Sequence, residues 1–153
     1  MTDFIPFSQP DIGTAEIDAV NEVLQSGWIT TGARTARFEE EFKRYVRSPY
    51  ALAVNSCTAG LHLALAALGI GNGDEVITTP LTFCATVNVI LQTGATPVLA
   101  DIGTDLNISP DSIERAVTRR TRAVIPVHFA GLPCDMDAIW SIAARHGLRV
   151  IED

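Results

Sequence analysis

Lysine is nearly absent from this sequence: of 153 residues only Lys43 is one, against 18 Asp and Glu. It sits in EEEFKRY (39–45), a charged helix face, where pairing with Glu39 or Glu40 at helical spacing is the plain expectation. With 11 Lys and Arg in all and a net charge of -7, the chain lacks the basic surface that tracks phosphates, which argues against a nucleic-acid partner. Only Arg119, Arg120 and Arg122 cluster, and they read as a solvated helix end. The three cysteines, Cys57, Cys84 and Cys134, are odd in number and show no CxxC spacing, which supports neither a disulfide framework nor zinc. The three histidines, His62, His128 and His146, are scattered, so no metal site is expected. No apolar run reaches the roughly 18 residues of a membrane span, and the amino terminus has no basic segment leading into an apolar core. A cytoplasmic protein with no membrane partner is therefore expected. Neither GxGxxG nor GxxxxGK[ST] occurs, which disfavours a Rossmann-type reductase and an ATPase.

What is present is an alternation. A chain that is 47% hydrophobic and 19% charged is long enough for one domain with a real core. From residue 50 onward short β-branched runs alternate with helical stretches, the pattern of βαβ units and a mainly parallel sheet flanked by helices. Strands are predicted at 50–54, 75–79, 96–101, 122–127 and 149–153, with helices at 58–68, 83–92, 110–118 and 135–146. Ser109 before Pro110 marks a helix start, and Gly69, Gly94 and Gly147 fall where helices should stop. The preceding segment differs. Residues 14–26 place Ile17, Val20, Val23 and Leu24 on one helical face, and residues 34–47 do the same with Phe38, Phe42, Tyr45 and Val46. GWITTG (27–32) joins these helices, as a connecting turn with a buried Trp28 or as something more. Residues 1–48 thus form a helical segment and 49–153 the first part of an α/β domain. Because LRVIED stops at the carboxyl end of a strand, where α/β proteins place ligand-binding residues, the chain is expected to be the first part of a longer protein.

Three features could carry chemistry. In VNSCTAGL (54–61) a strand meets a helix through small residues, so free N–H groups with the Ser56 and Thr58 hydroxyls beside them could hold an anion. A Ser or Thr that merely caps the helix is the alternative. Phe83 follows the strand EVITT and could stack on a planar ring or pack in the core. Asp153, at another strand end, could hold a pyridinium nitrogen protonated or cap a following helix. Together the three suit a pyridoxal phosphate site better than each does alone. The lysine such a site needs is missing, since Lys43 belongs to a solvated face.

Taken in order, GWITTG, NSCTAGLHLAL, GDEVITTPLTF, IPVHFAG and VIED resemble the DegT/StrS family of pyridoxal phosphate-dependent nucleotide-sugar aminotransferases, over essentially the whole chain. The opening DFIPFSQPDIG with GWITTG looks most like the branch that aminates a UDP-linked 4-keto-pentose in lipid A modification, part of lipopolysaccharide biosynthesis. The resemblance implies the large domain of the aspartate aminotransferase (type I) fold and a pyridoxal 5'-phosphate cofactor. It further implies that Thr58 and Ala59 hold the phosphate, Phe83 stacks on the ring, Asp153 pairs with the ring nitrogen, and Thr30 and Thr31 lie near the nucleotide sugar. His128, in PVHFAG, is expected to order a loop. Family members run to well over twice this length, so the Schiff-base lysine lies outside this chain, no residue here is catalytic, and the fragment alone is expected to be inactive. A homodimer and an amino donor, glutamate, are implied as well. Two other readings stand beside this one: a sugar dehydratase of the same family, with His replacing the lysine, and a non-catalytic truncated binding module.

Overall fold

Turn chemistry and apolar periodicity set the elements in place. The computed structural model describes residues 4, 6 and 8–153, so the opening DFIPFSQPDIG lies partly outside the described residues. It divides into two units, Met1–Ala53 and Val54–Asp153. The first holds helices α1 (Thr14–Ser26) and α2 (Ala33–Tyr45), within one residue of expectation at their starts. Helix α1 stops at Gly27, whose φ of 71° is a left-handed conformation that costs glycine little. Lys43 pairs with Glu40 at 2.5 Å, one of the two partners expected. The apolar faces have the expected period, yet Ile17, Val20, Leu24, Phe38, Phe42 and Tyr45 are all exposed.

The strand predicted at 50–54 does not form. A strand exists by pairing, and the N–H of Ala53 goes instead to the Glu39 carboxylate, at 2.8 Å.

The second unit is a parallel sheet in the order β2-β1-β3-β4, built from β1 (Glu75–Thr78), β2 (Thr96–Leu99), β3 (Thr121–Ile125) and β4 (Arg149–Val150). Every connection that lies between paired strands contains a helix, as parallel neighbours require: α4 (Ala85–Gln92), α5 (Pro110–Ala116) and α6 (Met136–His146) follow in turn, while α3 (Cys57–Ala67) precedes β1. Because successive strand residues face opposite sides, Val76, Ala123 and Ile125 join Leu61, Leu65, Val89 and Ile90 of α3 and α4 in one core. Ile77 and Val124 join Ile113, Ile139 and Ile142 of α5 and α6 in another. Ser109 caps α5 and Asp135 caps α6, and Gly69, Gly94 and Gly147 take positive φ where helices end.

The arginine cluster is not a helix end. Helix α5 stops at Ala116, and the following turn brings Arg120 onto Glu75 and, from within β3, Arg122 onto Asp74 at 3.1 Å. Ladder bonds also continue past the formal end of β4. Ile151 N–H donates to Val124 O, Asp153 N–H to Pro126 O and His128 N–H to Asp153 O, each at 3.0 Å. These bonds fix Asp153 at the carboxyl end of the sheet.

Candidate functional site

Asp153 is the centre of this end of the sheet. Its Oδ2 accepts from the Thr86 hydroxyl at 2.6 Å, and its Oδ1 from the Cys57 thiol at 3.3 Å. Thr86 belongs to α4 and Cys57 is the first residue of α3, so one carboxylate joins two helices to the sheet. Asp153 thereby stands one hydrogen bond from the residue before Thr58. It is two from the backbone of Phe83, whose carbonyl accepts from Thr86 N–H at 3.2 Å. Sequence reasoning gave no role to Thr86 or Cys57. The one available signal was the spacing of Thr82 and Thr86 in TFCAT, four apart on a helical turn.

At the start of α3, Ser56 is extended and its Oγ accepts from Ala59 N–H at 3.1 Å. The capping alternative for this serine is thus real. It engages Ala59, while Cys57 and Thr58, as first-turn residues, have no intrahelical acceptor for their N–H groups. The positive end of the helix dipole faces the same place. Against that field, the hydrogen bond to Asp153, burial and the carboxylate charge push the Cys57 thiol above its ordinary pKa.

Phe83 does not pack in the core. It is 78% exposed, on the segment between β1 and α4, and an apolar ring left in solvent at the carboxyl edge of a sheet is available to cover something planar.

His128 orders a loop. Its Nδ1 accepts from Cys134 N–H at 3.1 Å, so Nδ1 carries no proton and Nε2 donates to Glu152, at 3.0 Å. The buried Asn107 completes the restraint. Its Oδ1 accepts from Phe129 N–H, and its Nδ2 donates to the carbonyls of Leu132 and Pro133.

In the amino-terminal unit, Thr30 and Thr31 lie on the Gly27–Gly32 loop. Trp28 is 64% exposed rather than buried. Its Nε1 donates to Thr31 O at 3.0 Å, and the indole lies so close to Gly32 that a Cβ there would stand 2.3 Å from Nε1. The loop is therefore folded around its own tryptophan. It lines an open concavity of about 810 Å³ whose wall includes Thr30, Thr31, Thr35 and the ion pair of Glu22 with Arg34.

Comparison with known proteins bears on this arrangement. Residues 10–153 match the model of the DegT/DnrJ/EryC1/StrS aminotransferase family. The chain is 58% identical over 151 residues to the spore coat polysaccharide biosynthesis protein SpsC of Bacillus subtilis (strain 168), covering 98% of this chain and 39% of SpsC. An X-ray structure of the aminotransferase from Psychrobacter cryohalolentis superposes with a TM-score of 0.91 at 45% identity, over 97% of this chain and 38% of that one. The structure of NtdA from Bacillus subtilis, with bound cofactor PMP, superposes at 0.85 with 39% identity, over 89% of this chain and 32% of that one. The chain thus spans about two fifths or less of the length of these relatives. The expected fold is the observed one: a mainly parallel sheet flanked by helices, part of the type I aminotransferase fold. This chain belongs to the DegT/DnrJ/EryC1/StrS aminotransferase family.

Proposed function

We propose that this chain is the cofactor-binding part of a pyridoxal phosphate-dependent enzyme that transfers an amino group to a keto group of a nucleotide-linked sugar. The observation that carries the reading is Asp153: a carboxylate at the carboxyl end of the sheet, with both oxygens fixed as acceptors, beside the start of α3 and the exposed Phe83.

The residues fit this cofactor by their chemistry. A phosphate dianion suits the free amides of Cys57 and Thr58, the Thr58 hydroxyl and the helix dipole. Ala59 can contribute only by sharing the N–H that Ser56 already accepts. Phe83 offers its face to a pyridine ring, and the Asp153 carboxylate can accept from a protonated ring nitrogen. When bound, pyridoxal phosphate supplies the electron sink for labilising bonds next to an amine. Asp153 would keep the ring nitrogen protonated, and the Phe83 ring would cover one ring face. Lys43 is paired with Glu40 on a helix surface, and the lysine that the family resemblance implies is assigned to the part of the relatives that this chain does not span.

Thr30 and Thr31, on a loop with hydroxyls and the Arg34–Glu22 pair, are the residues we assign to the sugar nucleotide. Glutamate as donor and a homodimer complete the proposal. For the sugar, a surface-polysaccharide precursor is favoured by the likeness to SpsC, a spore coat polysaccharide protein. No relative reported above favours the UDP-pentose of lipid A.

The test is cofactor retention by the natural full-length protein. Pyridoxal phosphate should remain after gel filtration, and borohydride should fix it to a lysine beyond residue 153. Retention without a lysine adduct would point to the dehydratase instead, and no retention at all to a binding module.

A further inference from the structure

Thr86 is 1% exposed and its hydroxyl has two neighbours, Asp153 Oδ2 at 2.6 Å and Thr82 Oγ1 at 2.8 Å. A hydroxyl has one proton to donate, and a carboxylate with the thiol of Cys57 already on Oδ1 accepts on Oδ2. Thr86 therefore donates to Asp153, and Thr82 donates to Thr86. The order is fixed: Thr82 to Thr86 to Asp153. A threonine inside a helix more often bonds back to the carbonyl four residues earlier. This one is bonded to a residue 67 positions away.

The same short segment also carries the aromatic. Thr82 precedes Phe83, and Thr86 N–H donates to the Phe83 carbonyl at 3.2 Å. The relay thus ties the base of the exposed ring to the carboxylate through three hydrogen bonds. The two donors to Asp153 are also unequal. Oδ2 is held by a short hydroxyl bond and Oδ1 by a weak thiol donor, so Oδ1 is the oxygen more easily yielded to a new partner.

We propose that Thr86, oriented by Thr82, is a positioning residue that fixes the Asp153 carboxylate relative to Phe83, so that one planar cation can be stacked and paired at once. The inference rests on the cofactor reading above and adds to it two residues that touch neither ring nor phosphate.

The test compares Thr86→Val and Thr86→Ser in the full-length protein, each also in an Asp153→Asn background. Pyridoxal phosphate is the probe. Two quantities are read: its dissociation constant by equilibrium dialysis, and the pH dependence of the visible band of the bound cofactor. Loss of a charge-assisted hydrogen bond predicts binding about tenfold weaker in Thr86→Val, with a displaced pH profile. Thr86→Ser restores both. In the Asp153→Asn background Thr86→Val has little further effect, because the carboxylate charge that Thr86 positions is already gone. Wild-type affinity and wild-type pH profile in Thr86→Val, with only a lower melting temperature, would overturn the proposal and leave the cofactor reading intact. A wild-type protein that retains no pyridoxal phosphate would remove both, and the two failures are told apart by the wild type alone.

Discussion

Two donors of different strength meet at Asp153, and the weaker one reports on it. The Cys57 thiol lies at the start of α3, a position that ordinarily lowers a thiol pKa through the helix dipole. Here the Asp153 hydrogen bond, burial and the carboxylate charge outweigh that effect and raise it. The sign follows directly: a raised thiol pKa delays thiolate formation, so alkylation of Cys57 by iodoacetamide should require higher pH than an ordinary cysteine. Removing the negative charge with Asp153→Asn should bring the pH profile down and accelerate alkylation severalfold at pH 8, since each pKa unit is tenfold in thiolate. Cys84, exposed and without a contact to Asp153, serves as the accessibility reference in peptide mapping. An unchanged Cys57 rate in the Asp153→Asn variant would show that the carboxylate does not govern the thiol. The sequence places both segments at one strand-end site, but it does not show this contact. VNSCTAGL displayed the cysteine and VIED the aspartate, but 96 residues separate them, and no local pattern records that they meet.

At the scale of elements, the Gly27–Gly32 loop carries the clearest constraint. An alanine Cβ at position 32 would stand 2.3 Å from Trp28 Nε1 and 2.7 Å from its Cδ1. The obstructing group is a half-solvated side chain, so the indole can swing away and lose its hydrogen bond to Thr31 O. Gly32→Ala is thus expected to leave the fold intact and lower stability by about 1 kcal/mol, the worth of one hydrogen bond. Trp28 emission should shift to the red, measured with Trp140 replaced by Phe so that it does not contribute. An unshifted spectrum would mean that the indole is not packed on Gly32. Sequence patterns served helices well because each helix carries its own signals: Ser109 with Pro110, the glycines at helix ends, the apolar period. At Trp28 they leave a buried turn residue and a further role open, and the ring is in fact exposed and braces its own loop. For Phe83 the sequence leaves core packing and ring stacking open, and its exposure rules out the core.

The whole molecule divides by where its apolar surface went. In Val54–Asp153 the two inner strands, β1 and β3, lie between two cores, while β2 and β4 at the edges are only partly covered; short β-branched runs set between helical stretches made the alternation legible from residue 75 onward. Residues 50–54 read the same way, but strand formation needs a partner and none lies beside them among the described residues. Helices α1 and α2 present the other extreme: each has 13 residues, and neither contributes a buried one. Helices of that length are marginal in water unless an apolar face is covered. Their faces, Ile17, Val20 and Leu24 on one and Phe38, Phe42 and Tyr45 on the other, are exposed. Ion pairs along α2, such as Arg37 with Glu41 at 2.7 Å, add only a few tenths of a kcal/mol each. Hydrogen exchange on a polypeptide of residues 1–153 should therefore separate the units. Amides of β1 and β3, whose ladders sit between two cores, should be protected to the extent of global unfolding, while those of α1 and α2 exchange at rates close to unfolded peptide. Equal protection in both sets would mean that the two helices draw stability from cover the exposed faces do not reveal, and the division by buried surface would fail.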